Sequence, residues 1–217
     1  MDFELARRNM IESQIRTWEV LDHAVLDTIA RTHREDFVPV AYRRMAFGDF
    51  NIPIGEGEYM WTPKQEARVL QELMLRPSDK VLEVGTGSGY LTALLAAMSA
   101  HVVSVDDIPA FTEAAAGKLE SHAIGNVTLE TGDAARGWDQ HGPYDVIVIT
   151  GSMPKLPESF KHALNIGGRL IAIVGKSPVM NARRYTRVAE NTFETDDLFE
   201  TDLAPLRNVE EERVFVF

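Results

Sequence analysis

The run VLEVGTGSGY at residues 81–90 constrains this chain more than any other stretch, because it compresses a buried strand, an acidic residue and three alternating glycines into ten positions. Val81, Leu82 and Val84 suit an interior strand. Gly85, Gly87 and Gly89 let the main chain turn tightly and approach a ligand that any Cβ would hold off. Leu91, Leu94, Leu95 and Met98 then recur at helical spacing, so the order is strand, glycine turn, helix. That order aims the free N–H groups of a helix start at whatever lies over the turn, the arrangement of a nucleotide-type cofactor site.

The dinucleotide fingerprint G-x-G-x-x-G requires a glycine where this chain has Tyr90, which argues against nicotinamide or flavin. The pattern present is E-x-G-x-G-x-G, formed by Glu83, Gly85, Gly87 and Gly89 with Thr86 inside it. It resembles motif I of the S-adenosylmethionine-dependent methyltransferases, whose Rossmann-like sheet holds the methionine part of the cofactor against the turn. A second apolar run, Val102, Val103 and Val105, ends in Asp106, near the roughly twenty-residue offset at which Rossmann-like folds place a carboxylate on the ribose hydroxyls. Asp107 follows it directly. A third run, Val127, Thr128 and Leu129, leads into Gly132, Asp133 and Ala134, where methyltransferases of this kind hold the adenine amino group. A single glycine turn is often only a tight connection, and a single Asp after a strand is often a helix cap. Independent caps have no reason to keep Rossmann-like intervals, so the three strand ends are read as one cofactor site.

Composition narrows the remaining choices. The 217 residues suffice for one large domain with a small appended piece. With 33 acidic against 22 basic residues the formal charge is −11, which repels a phosphate backbone, and no nucleic acid is expected as a partner. The absence of cysteine removes disulfides, thiolate ligands and thiol nucleophiles together, and the six histidines show no metal-ligand pairing, so no metal is expected. The N-terminal MDFELARRNM lacks a signal-peptide core and no long apolar run occurs, which makes the cytoplasm the expected compartment, with no membrane partner. Two apparent motifs fail: Gly175-Lys176-Ser177 has Leu170 where a phosphate-binding loop needs glycine, and Ser88 lacks the G-x-S-x-G frame of a hydrolase.

Along the chain, Phe3, Ala6, Met10, Ile11 and Ile15 give one amphipathic stripe and Leu21, Val25 and Ile29 another, predicting a helical N-terminal piece. Residues 37–63, rich in Pro, Gly and aromatics, read as an irregular segment lying over the core. Thr62-Pro63 reads as the N-cap and first residue of a helix with Ala67, Leu70, Leu73 and Met74 inward. From residue 80 the chain alternates in the α/β manner, adding strands at 144–150 and, after a Gly167-Gly168 turn, at 169–174, with a helix at 156–164 between them. Residues 185–189 and 212–217 are expected as a late antiparallel pair. The organisation is therefore a helical N-terminal subdomain and cofactor-covering segment at residues 1–60 and a Rossmann-like α/β domain at 61–217, its sheet carrying helices on both faces.

Taken together these segments resemble the protein-L-isoaspartate O-methyltransferases over almost the whole chain. The stretches that carry the likeness are DFVP (36–39), IPIGEG (52–57), VLEVGTGSGY, GDA (132–134), PYDVIVITGSMPKLP (143–157) and GGRLIAIVG (167–175). The resemblance implies methyl transfer from S-adenosylmethionine to the α-carboxylate of an isoaspartyl residue in an aged protein, with S-adenosylhomocysteine as product. It places Glu83, Gly85, Thr86, Gly87 and Gly89 near the methionine end, Asp106 with Asp107 at the ribose, and Asp133 with Ala134 near the adenine. The acceptor side departs from the family. Where the family usually continues G-x-G-Q-T-I-S, this chain reads GEGEYMWTP, putting Trp61 at the serine position with Thr62 as the nearest hydroxyl. These two residues are the candidates at the reaction centre, with helix capping the competing role for Thr62. The family's T-A-A-A-P also becomes TGSMP at 150–154, and the ending ERVFVF differs. A large indole at the acceptor position predicts weak or absent isoaspartyl methylation with ordinary cofactor affinity. Two other readings follow from it: a paralogue acting on a different carboxylate or small molecule, and a non-catalytic S-adenosylmethionine-binding protein.

Overall fold

Asp2 and Asp22 open the first two helices by accepting hydrogen bonds from main-chain N–H groups one turn in, giving α1 (Phe3–Met10) and α2 (His23–Arg31). The computed structural model describes residues 1–210. A π-helical turn at Ile11–Ile15 continues α1, keeping Met10, Ile11 and Ile15 on the buried side. The segment that follows α2 is more ordered than its composition suggests. It carries a 3-10 helix at Val40–Met45 and a hairpin of β1 (Ile52–Gly55) and β2 (Glu58–Met60), before α3 (Pro63–Glu72) begins.

The remaining elements alternate: β3 (Lys80–Val84), α4 (Tyr90–Met98), β4 (His101–Asp106), α5 (Pro109–Ser121), β5 (Val127–Thr131), β6 (Tyr144–Met153), α6 (Glu158–His162) and β7 (Leu164–Lys176), then β8 (Val179–Ala189) and β9 (Thr192–Thr201). They build one sheet in the order β5-β4-β3-β6-β7-β8-β9, parallel from β5 to β7 and antiparallel from β7 to β9. Residue alternation splits the sheet's side chains into two cores. Val81, Val102, Val146, Val148 and Ile171 face α3, α4 and the N-terminal helices. Leu82, Val84, Val103, Val105, Ile147 and Ile149 face the other way, toward Leu156 and Phe160 beside and within α6. The N-terminal stripes and the sheet thus share one apolar cluster, so residues 1–60 are packed onto the sheet domain.

Three expectations need correction. The antiparallel partner of 185–189 is β9, because the acid-rich run forms an edge strand whose Asp196 and Asp197 pair with Arg184 and Arg183; the other proposed partner, 212–217, lies outside the described residues. Acidic side chains on an exposed edge also discourage pairing with another sheet. Met74 is 56% exposed, since α3 ends before it and the chain turns left-handed there, at φ 47°. Gly167 and Gly168 lie inside the long β7 and do not separate it from α6.

The turn after α3 is fastened from below. Arg169 of β7 is 5% exposed, donates to the carbonyls of Leu73 and Met74, and pairs with the buried Asp79 at 2.6 Å. Removing one partner leaves an uncompensated buried charge, so Arg169→Ala is expected to cost about 3–5 kcal/mol, read as a lower urea midpoint with unchanged slope.

Candidate functional site

Strand order reverses between β3 and β6, and the carboxyl ends flanking that switch point open into a cleft. Their register is level: Val84 lies beside Val105 on one side and Ile149 on the other. The turn after β3 is tied to its neighbours by Gly85 N–H donating to the Val105 carbonyl (2.7 Å), while Gly132 N–H donates to the Asp106 carbonyl (2.9 Å). Gly85 has φ +98°, and a Cβ there would stand 2.0 Å from Thr150 Oγ1. That hydroxyl donates to the carbonyls of Val84 and Gly85, so the close approach is itself a main-chain clamp. Gly89 serves differently: it caps α4, and its missing Cβ would meet Ala115 of α5 at 3.0 Å. It is needed for packing behind the cleft.

Among the expected residues, Trp61, Glu83, Gly85, Thr86, Gly87, Asp106, Asp107, Asp133 and Ala134 line this one cleft. Asp106 is 7% exposed and holds the turn in shape, its two carboxylate oxygens accepting from Gly87 N–H (2.9 Å) and Ile108 N–H (3.0 Å). Burial raises its pKa against those hydrogen bonds. Asp133 accepts from Ala135 N–H at 3.0 Å. Apolar side chains of Ile108, Phe111, Ala134 and Ala135 line the same region.

Glu83 is fully buried at the floor. One carboxylate oxygen accepts from Thr92 and Ser104, the latter at 2.6 Å, and Ser104 also meets the Thr86 hydroxyl at 2.7 Å. Thr86 is therefore turned into the protein. The other Glu83 oxygen, Oε1, has no partner within the chain. Burial lifts the Glu83 carboxyl to about 8, partly opposed by the two hydroxyl hydrogen bonds. An orphaned oxygen on a buried acid that lines the cleft fits a cationic group of a bound molecule.

Just after the hairpin, Trp61 is 7% exposed and donates its indole Nε1–H to the Thr150 carbonyl at 2.9 Å. Thr62 falls outside the cleft lining: its hydroxyl oxygen accepts from Gln65 N–H, and the Gln65 side chain returns to Thr62 N–H in a capping box. Capping is the role the structure gives it.

The hairpin and the C-terminal stretch supply walls beyond the residues singled out from sequence. Asn51, Ile54 and Glu58 come from the hairpin segment, and residues 203–207 cross the opposite side. The latter stretch is docked by main-chain bonds, Ser152 N–H to Ala204 O (2.9 Å) and Leu206 N–H to Ser152 O (2.7 Å), and Arg207 pairs with Asp107 at 3.1 Å. Asp107 thus faces the tail as well as the cleft. The available signal was the apolar Leu203-Ala204-Pro205-Leu206 run that interrupts an acidic region. Burial raises the pKa of Glu58, Arg207 lowers it, and Asp106 and Asp107 raise it further.

Two measurements separate these roles. Thr62→Ala is expected to lower stability by about 1 kcal/mol in chemical denaturation, through loss of the cap. Because Glu83 keeps its proton in the folded chain at pH values where the unfolded chain has lost it, its contribution to folding stability is fully present in acid and declines as pH rises from about 5 through about 8. Glu83→Gln removes that contribution, so the melting temperature of the variant is expected to rise relative to the parent's as pH increases across that range.

The model of the Protein-L-isoaspartate(D-aspartate) O-methyltransferase family matches residues 5–211. A protein-L-isoaspartate O-methyltransferase of Syntrophotalea carbinolica is 35% identical over 206 residues, covering 95% of each chain. One from Rhodopseudomonas palustris is 38% identical over 202 residues, 93% of each. In fold, the chain superimposes with a TM-score of 0.81 on a Plasmodium falciparum chain described as a candidate protein-L-isoaspartate O-methyltransferase in complex with S-adenosyl-L-homocysteine, at 19% identity over 95% of this chain and 99% of the other. With the family model spanning nearly the full length and relatives more than a third identical from end to end, this chain belongs to the protein-L-isoaspartate(D-aspartate) O-methyltransferase family.

Proposed function

We propose that the cleft binds S-adenosylmethionine and that the chain methylates a carboxylate of isoaspartyl residues in damaged proteins or peptides. The observation that carries this reading is the convergence, in a chain of this family, of the glycine turn, Asp106 and the Asp133-Ala134 pair on one cleft at the switch point of the sheet. The cofactor supplies a methyl group on a sulfonium, which an already anionic carboxylate oxygen can take in a single displacement, so no general base is required. The chain's task is in-line positioning.

Each residue has a place in that task. Gly85 and Gly87 give the main-chain approach for the methionine end, where the unpartnered Glu83 oxygen meets the cofactor's ammonium group. Asp106 keeps lone pairs for the ribose hydroxyls after its two main-chain bonds, and Asp107 stands at that rim with Arg207. Asp133 receives the adenine amino group while Ile108, Phe111 and Ala134 flank the ring. Trp61 forms the wall against which the acceptor carboxylate is presented. The hairpin of β1 and β2 and residues 203–207 close the cleft from two sides and make residues 1–60 a cover as well as a scaffold. No helix among the described residues is long and apolar enough to cross a membrane.

The indole takes room that the usual serine leaves free. A displacement of the acceptor that costs up to about 4 kcal/mol slows transfer by up to roughly a thousandfold. Incubation with labelled S-adenosylmethionine and an isoaspartyl peptide is therefore expected to give a base-labile methyl ester slowly, compared with a serine-bearing family member assayed beside it. Trp61→Ser is expected to accelerate it. Saturable cofactor binding by calorimetry with no ester formed would overturn the isoaspartyl assignment and favour another carboxylate acceptor or a binding role alone.

A further inference from the structure

Trp61 is held at both ends. Its indole Nε1–H reaches across to the Thr150 carbonyl, and that residue's hydroxyl is clamped to the end of β3. Its own carbonyl is gripped from the N-terminal side by Arg34, at 2.6 Å. Arg34 is fully buried, a costly place for a cation, and each of its three guanidinium nitrogens has a partner. Nε donates to the Ala46 carbonyl at 2.9 Å, a terminal nitrogen pairs with the buried Glu66, and the guanidinium carbon lies 4.9 Å from the ring centroid of Tyr90. Tyr90 is the first residue of α4, directly after the glycine turn.

We propose that Arg34 is a positioning residue for methyl transfer: its guanidinium sets the main chain of Trp61, and hence the acceptor wall, at a fixed height above the cofactor turn. The proposal rests on the acceptor role given to Trp61 above. A merely space-filling cation would not need to join four elements at the point where the wall begins. A planar fork with several donors can satisfy Glu66 and two carbonyls at once, whereas an ammonium on a shorter reach satisfies the carboxylate and releases a carbonyl. Burial lowers the Arg34 pKa to about 10, which leaves the guanidinium charged at neutral pH and able to hold all three acceptors.

The test uses the full chain and the indole N–H signals in a proton–nitrogen NMR spectrum, assigned by removing each tryptophan in turn. Trp138 is the internal control, because its Nε1–H is bonded to Glu130 and has no connection with Arg34. In Arg34→Lys the exchange protection of the Trp61 indole is expected to fall at least tenfold while that of Trp138 stays within twofold. Cofactor affinity is expected to stay within about twofold, while kcat for ester formation falls about tenfold or more, because a loosened indole, unlike the serine of Trp61→Ser, keeps its bulk beside the acceptor and loses its fixed place. In a Trp61→Phe background the same Arg34 change should have little further effect on kcat, since the wall is already untethered at its far end. Unchanged protection at Trp61, or loss at Trp61 and Trp138 in equal measure, would overturn the proposal. Arg34→Gln serves as the second variant, and failure of both variants to fold would assign Arg34 to folding alone. A Trp61-selective loss in a protein that forms no isoaspartyl ester would keep the tether and remove the acceptor reading instead.

Discussion

The parallel register of β3 against β4 and β6 is the constraint on which the site depends. It brings Val84, Val105 and Ile149 level in three neighbouring strands. Everything that follows is short-range: the glycine turn after β3, the carboxylate at the end of β4 and Thr150 within β6 meet because their strands run level. Thr150 Oγ1 donating to the Val84 and Gly85 carbonyls, and Asp106 accepting from Gly87, are bonds between those three strands. A one-residue slip would turn the alternating side chains to the opposite core and break all of them at once.

Above this frame the cleft is unusually acidic. Glu58, Glu83, Asp106, Asp107 and Asp133 line it, and Arg207 enters from the tail. Such a field suits a cationic sulfonium and ammonium donor and opposes an anionic acceptor. Desolvation moderates the conflict, because burial holds Glu83 largely protonated at neutral pH and raises Glu58 and Asp106 from their ordinary values. A cation placed beside Glu83 would favour its ionised form.

What was legible in the sequence was local. The strand-turn-helix run, the acid at the end of β4 and the Thr62-Pro63 helix start are each written within a few neighbouring positions. They resolve into β3, Asp106 and α3, with Gln65 completing the cap. What was not legible involves partners far apart in the chain. The bonds from Arg34 to Trp61 and from Trp61 to Thr150 span 27 and 89 positions, and no periodicity announces them. Residues 192–201 carried no strand signal for a related reason. An exposed edge strand tolerates their run of acids once Arg183 and Arg184 stand opposite. Residues 203–207 gave only an apolar signal, because their docking rests on main-chain bonds to Ser152.

The Trp61 indole brings more than volume to the cleft. It has spent its one donor on the Thr150 carbonyl. Freeing it would orphan the carbonyl of the same residue whose hydroxyl clamps the Gly85 turn. The indole is consequently held in place against the sheet. Tyr59, half exposed, and Arg207 stand on the rim from the hairpin and from the 203–207 stretch. The outer walls of the cleft thus come from two segments far apart in the sequence, one forming the β1–β2 hairpin and one docked on Ser152.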